Sequence, residues 1–129
     1  MAQHWRSVTL SAFAFSLLGI APLSALAQQA PASFVASPDV YKVVAENAQF
    51  RVIEGIWKPG QRDVLHTHPL PEVTYAITAC KRRSYGPDGS VQVDGELAQG
   101  TVTVRNSHAA HTFENTGATE CRILFVERK

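Results

Sequence analysis

From Phe50 onward, apolar and polar residues alternate in short runs separated by turn residues. That is the period-two signature of half-buried β-strands. Phe50 to Trp57 alternates and is rich in Val, Ile and aromatic side chains, and Pro59-Gly60 then predicts a turn. Val64 to His68 is the next extended run, closed by Pro69 and Pro71. Glu72 to Ala79 follows, with Val73, Tyr75 and Ile77 on one face and Thr74, Ala76 and Thr78 on the other. Gly86-Pro87-Asp88-Gly89 predicts a tight turn between two polar strands. Ser90 to Asp94, Thr101 to Arg105, His111 to Asn115 and Cys121 to Glu127 complete about eight runs, the spacing expected of a β-sandwich or barrel. Nothing from Gln28 onward shows a sustained helical period. Gln28 to Asp39 carries Pro31, Pro38 and few large apolar groups, and reads as an extended linker. Val40 to Val44 is a candidate edge strand.

The beginning of the chain follows different rules. His4 and Arg6 precede an apolar run from Val8 to Ile20, Pro22 breaks it, and Ala25-Leu26-Ala27 places small residues where a signal peptidase reads. This layout predicts a secretory leader over residues 1–27, with cleavage after Ala27. The run is short for a spanning helix, which needs roughly 20 apolar residues. The expected organisation is therefore a leader at 1–27, an arm with a possible edge strand at 28–45 and one barrel at 46–129. A periplasmic or secreted location follows, with no membrane attachment once the leader is removed.

Charge excludes one class of partner. The chain has 12 Lys and Arg against 11 Asp and Glu, and without Arg6 the two signs balance. A neutral chain with no basic run has no long-range field for DNA, RNA or an anionic membrane. No nucleic-acid partner is expected; a small-molecule ligand is.

The candidate chemistry lies in two histidine groups. His66 and His68 stand two apart on an expected strand and so share a face, and Glu72 opens the next strand beyond the two prolines. His108 and His111 form the second group. His111 can join the first group only if the sheet folds over on itself. Three imidazoles and a carboxylate suit one divalent transition metal ion (Fe, Mn, Co, Ni, Cu or Zn) and leave open positions for a ligand. A solvated His-x-His pair and a Glu serving as a cap are the bland readings of the same residues.

These residues resemble the two sequence motifs of the cupin superfamily. The first is matched by Gly60, His66, His68 and Glu72, with Ala79 where a glycine is expected. The second is matched by Gly100, His111 and Asn115, with Asn106 in place of proline and His108 in place of glycine. The resemblance spans Phe50 to Val126 and extends to small uncharacterised single-domain members through Asn47, Phe50, Arg51, Val52, Pro59, Gly60, Pro69, Glu127 and Lys129. It implies an all-β, cupin-type jelly-roll barrel of two antiparallel sheets. It implies metal ligands at His66, His68, Glu72 and His111, and a turn and packing role for Asn115. His108 has two readings, a base beside the metal or a loop histidine facing solvent. The second is preferred, because only His111 has the downstream Asn at the motif spacing.

In such a jelly roll the strand from Glu72 lies antiparallel to the last strand, which brings Cys80 near Cys121. A pair of cysteines in an exported protein then implies a disulfide. There is no Cys-x-x-Cys, which argues against redox catalysis. If Glu72 points inward, the small residues Thr74, Ala76 and Thr78 leave room for a ligand. Val73, Tyr75 and Ile77 form an outer apolar stripe that suggests a homodimer. Three functions compete: a metal-dependent enzyme such as an Fe(II) oxygenase with Glu72, or less readily His108, as base; a non-catalytic periplasmic module binding a metal or small ligand; and a structural barrel without metal.

Overall fold

The structure is a computed structural model in which residues 30–129 are described; the expected leader lies outside them. Nine strands and one helical turn follow in order: α1 (Ser33–Ala36), β1 (Tyr41–Glu46), β2 (Phe50–Trp57), β3 (His66–His68), β4 (Glu72–Ala76), β5 (Cys80–Tyr85), β6 (Val91–Leu97), β7 (Val102–Arg105), β8 (His108–Asn115) and β9 (Cys121–Arg128). They form a five-stranded sheet in the order β1-β2-β9-β4-β7 and a four-stranded sheet in the order β3-β8-β5-β6. All strand pairs are antiparallel. The expected all-β jelly roll of two antiparallel sheets is the architecture observed.

Alternation sets which side chains meet between the sheets. On β9, Cys121, Ile123, Phe125 and Glu127 are buried while the residues between them are not. On β2, Ile53, Gly55 and Trp57 point the same way. The core joins Val40, Tyr41, Ile53, Trp57, Cys80, Phe113, Cys121, Ile123 and Phe125. Gly55 is glycine for a steric reason: a Cβ there would lie 2.6 Å from the Trp57 ring. At the β5–β6 hairpin, Gly89 takes φ +80° and its N–H donates to the Gly86 carbonyl, a turn that a side chain would strain.

Cys80 and Cys121 form the expected disulfide, with Cα atoms 5.1 Å apart. It ties the start of β5 in one sheet to the start of β9 in the other. Asn115 is fully buried; its amide donates to the carbonyls of Trp57 and Thr119, and its Oδ1 accepts from the Gly117 N–H. That is a turn-locking role, as the motif implied.

Two expectations need correction. The strand from Glu72 stops at Ala76, not Ala79. The N–H groups of Ile77 and Thr78 turn to the Arg122 carbonyl, and the Thr78 hydroxyl accepts from the Arg122 N–H. Thr78 thus leaves the inner face. Residues 30–39, read as a linker, are docked. The Thr67 N–H donates to the Pro31 carbonyl, the Thr67 hydroxyl to the Ala30 carbonyl, and the Val64 N–H to Ser37 Oγ, with Ser33 and Ser37 buried. The segment straps β3 from outside. It does so through backbone hydrogen bonds, small hydroxyls and one large apolar side chain, Phe34, packed against the core, too few apolar contacts to give a hydrophobic period.

Candidate metal centre

His66 and His68 point inward from β3 as strand geometry requires, 0% and 1% exposed. β3 pairs with β8 so that His66 faces His111 and His68 faces His108. Two steps on β3 therefore match three on β8, a bulge that inserts one residue. Residues three apart on a regular strand point to opposite faces. The bulge cancels that, and His108 and His111 both face inward, their rings stacked with centroids 3.9 Å apart. Ring nitrogens of His66, His68 and His111 lie within 4.8 Å of one another. The stretch containing His111 does fold back onto the His66–His68 pair.

His108 departs from its preferred reading. It begins β8, is half-buried and lines the cavity beside the other imidazoles, and is not a loop histidine facing solvent. The bulge is the cause, and it is a feature of strand pairing that neither strand shows alone.

Glu72 is 2% exposed at the start of β4. Its Oε2 lies 3.2 Å from His68 Nδ1, and its Oε1 3.6 Å from an Arg105 guanidinium nitrogen. Across the β4–β9 pair it faces Glu127, also buried and held 3.3 Å from Arg51. His68, Glu72 and Glu127 bring one ligand atom each within 4.8 Å, a second group sharing His68 with the first. Both oxygens of Glu72 and Nδ1 of His68 are buried without a hydrogen-bond partner. Native interiors rarely leave such atoms unpaired, because each costs about 1–3 kcal/mol. Three imidazoles beside an orphaned carboxylate are a donor set that fits a divalent transition metal ion.

The imidazoles are prepared as ligands. His66 Nδ1 lies 2.7 Å from the Val64 carbonyl and His111 Nδ1 2.8 Å from the Ala109 carbonyl. A carbonyl only accepts, so each Nδ1 carries the hydrogen and each Nε2 keeps its lone pair. Burial pushes His66 down to about 4, with the neighbouring His68 adding to the effect. Burial likewise lowers His111 to about 3, reinforced by His66, and His108 to about 3, reinforced by His111. At neutral pH all three are uncharged and can donate electron pairs.

Tyr41 and Asp63 were not singled out in the sequence. The Tyr41 hydroxyl donates to Asp63 Oδ2 at 2.9 Å and stands 3.0 Å from His66 Nε2. Asp63 also accepts from Trp57 Nε1–H and, through Oδ1, from the Phe113 N–H. Burial raises Asp63 to about 6 despite these donors, and burial followed by Asp63 itself raises Tyr41. Asp63 sits outside any strand, so no periodicity marked it. Glu127 was readable: it continues the inward alternation of Ile123 and Phe125.

A cavity of about 90 Å³ opens beside the histidines. Its wall includes His68, His108, His111, Thr74, Arg82 and Arg105. The small inward residues expected of β4 are present as Thr74 and Ala76, both buried, while Val73 and Tyr75 face outward.

No protein-family model matches the chain, and no curated protein matches it. Solved structures do. A cupin domain from Bordetella pertussis Tohama I is similar with TM-score 0.63 and 24% identity, over 78% of this chain and 97% of that one. A protein with a double-stranded β-helix domain from Klebsiella pneumoniae gives TM-score 0.53 and 22% identity over 69% and 75% of the two chains. An RmlC-like cupin family protein from Methanocaldococcus jannaschii gives TM-score 0.53 and 9% identity over 69% and 78%. Strand order, the paired histidine strands and these likenesses together make this chain a cupin-fold domain.

Proposed function

We propose that the chain binds one divalent transition metal ion through His66, His68, His111 and Glu72 and acts on a small molecule, with an Fe(II)-type oxygenase as the favoured reaction class. One observation carries the reading: three buried imidazoles, those of His66, His68 and His111, stand beside a carboxylate that has no hydrogen-bond partner. When bound, the metal supplies a Lewis-acidic centre with open positions for a small ligand. The chain's own residues do the rest. The Val64 and Ala109 carbonyls orient two imidazoles. Glu72, poised between His68 and Arg105, is the candidate base, and His108 on the cavity wall is the second. The apolar layer of Trp57, Phe113 and Phe125 excludes water behind the site. The alternative is a non-catalytic module that binds the metal or a small ligand, favoured by the small cavity.

Elemental analysis of the purified chain, with and without His66→Ala, tests the metal. The expected result is about one equivalent per chain, lost or reduced at least tenfold in apparent affinity in the variant, as removal of a direct ligand should exceed the 10–100-fold cost of losing a supporting one. Wild-type protein that retains no Fe, Mn, Co, Ni, Cu or Zn defeats the reading. Oxygen uptake with catechols, diketones and thiols separates enzyme from binder.

The disulfide supports residence in an oxidising compartment, periplasmic or extracellular. Among the described residues no helix is long and apolar enough to cross a membrane. The outer face of β4 and the edge strand β7 supports a homodimer. Val73 pairs with Val104 and Tyr75 with Val102, and all four are exposed, Val104 at 75%. A valine-rich stripe on an unpaired edge is a surface that a second copy can cover.

A further inference from the structure

The inner face carries a positive cluster that the proposed ligand set does not use. On β5, Cys80, Arg82 and Ser84 share the inward face. On β7, Thr103 and Arg105 do the same. The two guanidiniums and the hydroxyls of Thr74, Ser84 and Thr103 thus converge on the cavity that His68, His108 and His111 also line.

The two arginines are not equivalent. Arg105 has a partner, Glu72, at 3.6 Å. Arg82 has no carboxylate within ion-pair distance among the described residues, and its Nε is buried with no hydrogen-bond partner. Burial and then the charge of Arg105 push Arg82 below the usual guanidinium range, yet a guanidinium stays protonated in proteins. A buried N–H without an acceptor beside a second cation is an unfavourable arrangement unless something anionic completes it. A planar group with two oxygens matches the guanidinium fork, answers the Nε–H and offsets the repulsion between the two arginines. Glu72 lies 3.6 Å from Arg105 and 3.2 Å from His68, on the metal side of the cavity, and makes no ion pair with Arg82.

We propose that this cavity binds a small carboxylate, its two oxygens held by Arg82 and Arg105 and its other end turned toward the histidines. The small volume restricts the ligand to a few heavy atoms, the size of acetate, pyruvate or oxalate. The inference deepens the metal-centre reading, resting on it only for what lies at the ligand's far end. The anion grip stands on residues outside the ligand set.

The test is calorimetric titration of the full chain, metal-loaded and metal-free, with pyruvate, acetate, inorganic phosphate and the neutral analogue acetamide. Arg82→Gln is the test variant. Arg83→Gln is the control, since Arg83 pairs with Asp94 on the exposed side of the same strand. Pyruvate or acetate should bind wild type and Arg83→Gln, bind Arg82→Gln at least tenfold more weakly, and raise the melting temperature of wild type and of the control more than that of Arg82→Gln. Acetamide should not bind. Equal affinity in Arg82→Gln, equal binding of acetamide, or binding of phosphate without either carboxylate overturns the proposal. Metal content measured on the same samples separates the two readings. Metal-loaded wild type that ignores carboxylates sinks the grip and leaves the metal centre standing. A chain that binds carboxylates but takes up none of the six metals leaves the grip standing and sinks the metal centre. Melting curves establish that Arg82→Gln is folded, and Arg105→Gln, which should also weaken carboxylate binding, provides a second variant.

Discussion

Asp63 shows how much one buried side chain can organise. Its two oxygens accept from a backbone N–H on β8, an indole on β2 and a phenol on β1. It therefore joins three strands behind His66, itself 3.6 Å away. Asp63→Asn would keep the shape but place an N–H₂ against one of these donors. An unsatisfied buried donor costs about 1–3 kcal/mol, so the variant should be destabilised by that amount in urea melts. An unchanged midpoint would show that the site does not depend on this junction. Tyr41 also carries weight for its position. Its hydroxyl reaches both Asp63 and His66, so an edge strand contributes directly to the histidine cluster.

Two features of the elements decide the site. The bulge in the β3–β8 pair turns His108 inward, and the docked segment at residues 30–39 braces β3 from outside. The disulfide acts at this scale too, linking β5 and β9 across a sequence separation of 41 residues. Closing a loop of that size restricts the unfolded chain by about 2–4 kcal/mol. Reduction, or the double substitution Cys80→Ser with Cys121→Ser, should lower unfolding free energy by that amount in denaturant titrations, with native circular dichroism retained. Loss of stability below 1 kcal/mol would mean that packing between the sheets already supplies the constraint.

For the whole molecule, buried titratable groups set the response to acid. His66, His108 and His111 are held neutral down to about 4, 3 and 3, against 6.5 for a free imidazole. The unfolded chain thus takes up protons first, and stability present above pH 6.5 is lost as pH falls through this window. Asp63, raised from 3.8 to about 6, and Glu127, also raised, act in the opposite sense. The three imidazoles outweigh them. The melting temperature of the metal-free protein should fall steadily from pH 7 to pH 4; a flat profile would contradict the burial described here. The proposed homodimer is tested at the same scale by light scattering, where Val104→Glu should convert a dimer to a monomer and a monomeric wild type would refute it.

Alternation by itself determined the order of the strands, which residues of each share a face and the His66–His68 pair, because a period of two is a property of each strand alone. Phe50–Trp57 was legible to its ends, and the shared face of Glu72, Thr74 and Ala76 was readable, although not that it is the inner one. The motif spacing, through its family resemblance, added His111, Asn115 and the disulfide. Tertiary structure decided what depends on pairing between strands distant in the chain. The bulge that turns His108, the approach of Glu127 to Glu72, the place of Asp63 behind His66 and the facing of Arg82 and Arg105 all arise from register and sheet stacking. A single strand's pattern holds no record of which neighbour it will meet, or where an extra residue will be inserted, and so these contacts exist only in the folded molecule.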